Sequence, residues 1–196
     1  SIPIRLVWGR QSKLSPYFCS KCETFASRHI GGAEVDMTIL FADVRNSMAI
    51  AEGMSPTDFA HFMNRFYNIS TDALVSSGGW VDKFIGDAVV GLFIPGFAGP
   101  DHARHAVEAA RKIFAALDIG DSAQTPVGIG IHTGTAFMGA VGTEGITDIT
   151  ALGDSVNISA RLAASANPGE TLISEDTWKA ARAPVSDLEK RSLQFK

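Results

Sequence analysis

Two acidic residues sit where buried strands would ordinarily carry none. The stretch MTILFADVRNS, residues 37–47, runs uncharged until Asp43, and in VDKFIGDAVVGLF, residues 81–93, Asp87 interrupts a second apolar run. Each acid alone has an ordinary reading: Asp43 caps a short helix beginning in RNSMAIAE, and Asp87 is a turn residue. Together they point further. A carboxylate beside buried strands stays ionised only if something offsets its desolvation, and two on neighbouring strands repel unless a cation lies between them. Hard divalent cations take oxygen ligands, and Mg2+ commonly uses one or two carboxylates plus substrate phosphates. The pair therefore fits metal-assisted phosphoryl or nucleotidyl transfer.

A second constellation is GDSVNISARL, residues 153–162. Asp154 or Ser155 can start a helix there, which places Asn157 and Arg161 at i and i+4 on one face. Such a pair is an ordinary polar stripe on a surface helix. It also suits a sugar and a phosphate, because the guanidinium offers a fixed fork of donors. The only two cysteines, Cys19 and Cys22, lie in FCSKC. They read either as two half-buried thiols on a leading helix or as half of a four-cysteine Zn2+ site that a second copy would complete.

The elements that must position these groups follow from pattern. Residues 1–33 read as an appendage, helical from Ser15 to Arg28 and closed by Gly31-Gly32, and 34–196 as the main domain. Residues 35–44 make a strand apolar on both faces. Ser55 and Pro56 open a helix to residue 76, with Phe59, Phe62, Met63, Phe66 and Tyr67 as a core stripe. Strands 80–85 and 87–94 form a hairpin around Gly86-Asp87. Asp101 caps a helix to Leu117; strands follow at 126–134 and 147–151, with Gly139 and Gly142 lying between them. A helix at 154–165, a strand at 171–174, a helix at 175–182 and a last strand at 191–196 complete the chain. Strands and helices alternate, but the hairpin breaks strict parallel order, so the class is α/β or α+β with a mixed sheet.

Composition narrows the function. The chain has 196 residues, 45% hydrophobic and 19% charged, as expected for one globular domain, and a net charge of −4. That balance supplies no basic field for nucleic acid. No apolar run is long enough to span a bilayer, and SIPIRLVWGR lacks a secretory pattern, so a soluble cytoplasmic protein is expected.

ILFADVRNS, VDKFIGDAVVGLF, VGIGIHTGTAFMGAVG and LGDSVNISARL together resemble, in order and spacing, the class III nucleotidyl cyclases (adenylyl and guanylyl cyclases), across about residues 35–174. The resemblance implies an α+β sandwich: a ferredoxin-like palm core whose mixed, mainly antiparallel sheet is flanked by helices. It also implies an active site shared by two copies of the chain in a homodimer; residues 1–33 then read as a linker from a fused or separate sensor domain, a dimer-forming helix or a zinc-dependent clasp. Asp43 and Asp87, with the Val44 carbonyl, match the ligands of two Mg2+ or Mn2+ ions. Arg45, Asn46 and Ser47 fall in the triphosphate-binding segment, Asn46 where relatives usually carry Gly, and Lys196 matches a triphosphate lysine. Asn157 matches the residue that orients the ribose and Arg161 the one that neutralises the α-phosphate. Lys83 and Thr150 fall at the base-reading positions, where guanylyl cyclases typically carry Glu and Cys. Lysine only donates and suits N1 of adenine, and the Thr150 hydroxyl can accept from the adenine amino group. ATP is thus the expected substrate, with 3′,5′-cyclic AMP and pyrophosphate as products, although a hydroxyl discriminates less firmly than the Asp of many relatives. The alternatives are a guanylyl cyclase, or a weakly active cyclase-like module that works by binding nucleotide or a partner.

Overall fold

A computed structural model describes residues 31–118, 125–143, 146–182 and 189–194. The elements run β1 (Gly31–Val44), α1 (Ser47–Glu52), α2 (Pro56–Ser76), β2 (Trp80–Ile85), β3 (Ala88–Phe93), α3 (Pro95–Ala98), α4 (His102–Leu117), β4 (Val127–Thr143), β5 (Ile146–Leu152), α5 (Asp154–Ser165), β6 (Thr171–Ile173) and α6 (Glu175–Ala181). The sheet order is β2-β3-β1-β4-β5, with β6 also on β4. All pairs are antiparallel except β4 with β6. The first four strands therefore have the ferredoxin-like order, as the resemblance implies.

Alternation along β1 decides the layers. Leu40, Ala42 and Val44 enter one core with Met63, Phe66 and Leu74 of α2 and Ala106, Ala110 and Ile113 of α4. Met37, Ile39 and Phe41 enter a second core with Val90, Leu92 and Ala163 of α5. The aromatic stripe of α2 is core packing, as its spacing indicates: Phe66 is buried, and Phe59, Phe62 and Tyr67 are partly buried against the same cluster. Ser55 caps α2, its hydroxyl accepting from the Asp58 amide at 3.1 Å.

Four sequence expectations change. β1 begins at Gly31 and β4 continues to Thr143, so Gly31-Gly32, read as closing a helix, and Gly139 and Gly142, read as lying between strands, all belong to strands, and Gly32 faces Gly139. A Cβ on Gly32 would lie 2.3 Å from the Met138 carbonyl oxygen, so only glycine permits this approach. Asp101 does not cap α4 through its side chain. Its backbone is near-helical (φ −90°, ψ 20°) instead of extended, and its carboxylate takes Arg104 at 2.9 Å instead. Asp43 does not cap α1, because Asn46 occupies that position. Residues 191–194 form no strand: they are exposed, and Arg191 is tied to Glu170 at 2.7 Å. The expected helix over 15–28, Cys19, Cys22 and Lys196 lie outside the described residues.

Candidate active site

After Phe41, the next residue on the α5 side of β1 is Asp43. It faces Ala88 across the ladder, so Asp87 stands one residue away at the same end of the neighbouring strand. The Val44 amide donates to the Asp87 carbonyl oxygen at 3.1 Å and fixes this junction. The turn between β2 and β3 is held from above. Gly86 takes positive φ (58°), and the Tyr67 hydroxyl donates to its carbonyl oxygen while the Tyr67 ring packs on Phe84 with centroids 4.6 Å apart. Burial, and then the charge of Asp87, push the Tyr67 hydroxyl up. Sequence pattern placed Tyr67 in the core stripe and could not show that its hydroxyl holds the turn presenting Asp87.

Both carboxylates are half-buried and partnered. Arg45 donates through Nη2 to Asp43 and through Nη1 to the Ala164 carbonyl oxygen at 3.0 Å, at the end of α5. Ser47 donates to Asp87. Burial lowers the Arg45 guanidinium, and the nearby charge of Asp87 opposes this. Arg45 Nε is buried without a partner. Arg45 and Ser47 thus act on the carboxylates themselves. The Val44 and Arg45 amides are also committed, to Asp87 and Pro126, so the amides this segment can offer a phosphate begin at Asn46. Asn46 adopts the left-handed conformation, φ 57° and ψ 31°, a region costly for most side chains but tolerated by Asn and Gly. Asn46→Ala is therefore expected to lower stability by about 1 kcal/mol, with Asn46→Gly close to wild type, as read from urea denaturation midpoints.

The donor set fits magnesium or manganese. It is oxygen only, two carboxylates at adjacent strand ends beside a backbone carbonyl. Among the described residues no group of three or more His, Cys, Asp and Glu side chains gathers, so substrate oxygens would complete the coordination, as is usual for Mg2+.

A second cluster lies where β2 meets β5. Lys83 Nζ donates to Asp148 Oδ2 at 2.5 Å, and Thr150 Oγ1 donates to Asp82 Oδ2 at 2.9 Å. Lys83 and Thr150 both lie on this seam, each held by an acid the sequence reading had not singled out, Asp148 and Asp82. The available signal was that Asp82 adjoins Lys83 and that Asp148 and Thr150, two apart on a strand, share a face. Burial raises the Asp82 carboxyl to about 6, against the Lys83 charge and the Thr150 hydrogen bond.

Asn157 and Arg161 are exposed on α5, away from its buried Ser155, Ser159 and Leu162. Ser159 anchors that helix by donating to the carbonyl oxygens of Ile39 at 2.8 Å and Gly130 at 3.1 Å. His132, within the GIGIHTG motif, is structural. Its Nδ1 pairs at 2.8 Å with the hydroxyl of Ser174, which caps α6.

Residues 33–194 match the family model described as the adenylate and guanylate cyclase catalytic domain. The chain belongs to that family. This cyclase domain is 37% identical over 134 residues to an adenylate cyclase of Anabaena cylindrica, an alignment covering 64% of this chain and 26% of that protein. It thus spans about a quarter of that relative's length. Among solved structures, the guanylyl cyclase Cya2 superposes with a TM-score of 0.74 at 29% identity, covering 85% of this chain and 88% of that one. The adenylyl cyclase CyaB from P. aeruginosa does so at 0.72 and 25% identity, covering 78% and 83%. Both base specificities therefore occur among the relatives. No helix among the described residues is long and apolar enough to cross a membrane.

Proposed function

We propose that this cyclase domain is an adenylyl cyclase that converts ATP to 3′,5′-cyclic AMP and pyrophosphate. The observation that carries the reading is the paired end of β1 and β3, where Asp43 and Asp87 meet at one junction. These carboxylates and the Val44 carbonyl would hold the divalent ions, which when bound supply acidification of the ribose 3′-hydroxyl and charge neutralisation on the triphosphate. Arg45 orients Asp43 in their absence, and Ser47 orients Asp87. Asn157 orients the ribose so that its 3′-oxygen faces the α-phosphorus. Arg161 stabilises charge that grows on the α-phosphate as the P–O bond to pyrophosphate breaks, the moment at which a preorganised cation has most effect. The amides from Asn46 onward, with Lys196, bind the β- and γ-phosphates. Lys83 donates to N1 of adenine and Thr150 accepts from its amino group.

The working unit is a homodimer. Polar contacts on one protomer fall into two sets, the Asp43–Arg45–Ser47–Asp87 cluster and the Asp82–Lys83–Asp148–Thr150 cluster. Large apolar side chains flank the second set in the open, with Phe84 46%, Ile85 50% and Leu152 47% exposed. A second copy would cover them and bring its own carboxylates to the base readers.

Incubation with ATP or GTP and Mn2+ or Mg2+, with chromatography of the products, tests this reading. Cyclic AMP should dominate. Cyclic GMP as the main product would make the chain a guanylyl cyclase, and nucleotide binding without turnover would make it a binding module.

A further inference from the structure

β2 carries an irregularity beside the base readers. Val81 pairs with Gly91 and Lys83 with Val90, so Asp82 is an extra residue without a partner of its own on β3. A bulge of this kind re-aims side chains that would otherwise alternate between faces. Here it lets two successive residues reach the same strand: Asp82 meets Thr150 while Lys83 meets Asp148. Thr150 is buried (5% exposed), and Asp82 Oδ1 is buried with no partner. Nothing in fold stability asks for a buried carboxylate at this point. The bulge places it there, behind the hydroxyl that faces the base.

A threonine hydroxyl is ambivalent, with one proton to donate and two lone pairs to accept with. Alone it would serve adenine, whose amino group donates, or guanine, whose carbonyl oxygen accepts. What resolves the choice is where the hydroxyl proton goes. The Ala151 carbonyl oxygen lies at 3.4 Å from Thr150 Oγ1, the Asp82 carboxylate at 2.9 Å. A charged acceptor at the shorter distance wins.

We propose that Asp82 is a positioning residue for base specificity: by taking the Thr150 hydroxyl proton in a hydrogen bond, its carboxylate leaves Thr150 only lone pairs to offer the base, which selects the amino group of adenine over the carbonyl of guanine. This rests on the adenylyl cyclase reading. It also predicts a pH signature. Burial lifts the Asp82 carboxyl to about 6; the charged groups facing it among the described residues are Lys83 on its own strand, which opposes the rise, and Asp148 on β5, which adds to it. Above that pH the carboxylate only accepts. Below it the neutral carboxyl can donate to Thr150, the hydroxyl proton is freed toward the base, and preference for adenine weakens.

The experiment is kcat/KM for ATP and for GTP on the full chain, between about pH 8 and about pH 5, spanning the Asp82 titration. Only the ratio of the two is read, because effects of pH on metal, triphosphate or fold act on both substrates alike. In the wild type the ATP:GTP ratio should fall about 10-fold across this range, the scale of one redirected hydrogen bond. Asp82→Asn, whose amide can donate to Thr150 at any pH, should show a ratio lowered by about 10-fold at the alkaline end and independent of pH. In a Thr150→Val background, Asp82→Asn should leave the ratio where Thr150→Val put it. A wild-type ratio that does not change with pH, or an Asp82→Asn ratio equal to that of wild type, overturns the proposal while leaving the cyclase reading intact. If Asp82→Asn does not fold, the wild-type pH series decides alone. Absence of cyclic product from either nucleotide at every pH marks failure of the cyclase reading, and the proposal falls with it.

Discussion

Asp87→Ala abolishes cyclic nucleotide formation, lowering kcat/KM for ATP by about a thousandfold or more, while the protein remains folded. The two halves of this expectation have different origins. The carboxylate lies at the paired end of β1 and β3, so its loss removes half of the anionic donors available to divalent ions. Stabilisation of developing charge by such ions amounts to several kcal/mol, and each ~1.4 kcal/mol is a factor of ten in rate. Folding, by contrast, depends on the backbone around Asp87: the Val44 amide on its carbonyl, and Tyr67 on Gly86. The alanine variant keeps both. It loses the Ser47 hydrogen bond and the attraction of the Asp87 charge for the Arg45 guanidinium, so stability should fall by about 1 kcal/mol. Kinetics with Mn2+ and thermal unfolding, measured on the same preparation, separate the two effects.

Gly130→Ala has the opposite profile, with stability and activity lost together. A Cβ at this position would lie 2.1 Å from the Ala163 amide nitrogen, 2.4 Å from the Ser159 carbonyl oxygen and 2.8 Å from the Leu162 carbonyl carbon. All three are backbone atoms of α5, so no side chain can swing aside and the helix itself must move off β4. Overpacking of this kind costs about 3 kcal/mol, at the upper end of its usual range. The shift also stretches the Ser159 bonds to Ile39 and Gly130, and it displaces Asn157 and Arg161. Gly128→Ala makes an internal comparison, because its nearest contact, the Ala166 carbonyl oxygen, is at 3.0 Å. It should cost clearly less. Urea denaturation of both variants measures the difference.

Legibility in the sequence followed the range of the interactions involved. The strand ending at Asp43, the hairpin, the helix capped by Ser55 and the helix bearing Asn157 and Arg161 could be read because local rules fix them: alternation, capping and turn chemistry. The glycines at 31, 32 and 139 misled because a glycine's local meaning is a break, whereas here Gly31 faces Ala140 and Gly32 faces Gly139, more than a hundred positions away. The same limit hid Asp82 and Asp148. Their nearness in sequence to Lys83 and Thr150 was the one local signal; the bulge in β2 and the approach of β5 give them partners. Tyr67 shows the remaining case, a residue whose ring obeys the helical stripe while its hydroxyl reaches a turn in another element. The family resemblance supplied roles that periodicity could not, notably for Lys83 and Thr150.

The most direct measurement is complementation between two inactive chains. Asp87→Ala lacks a metal carboxylate, and Arg161→Ala lacks the cation for the α-phosphate; each alone should be inactive. If one active site draws its carboxylates from one copy and Arg161 from the other, a mixed dimer contains one site with both defects and one with neither. Co-expression at equal levels should then restore about a quarter of wild-type turnover, because half of the dimers are mixed and each carries one intact site of two. A co-expressed pair as inactive as its parents, or an Asp87→Ala chain that still forms cyclic AMP alone, would contradict a metal-dependent site shared between two copies.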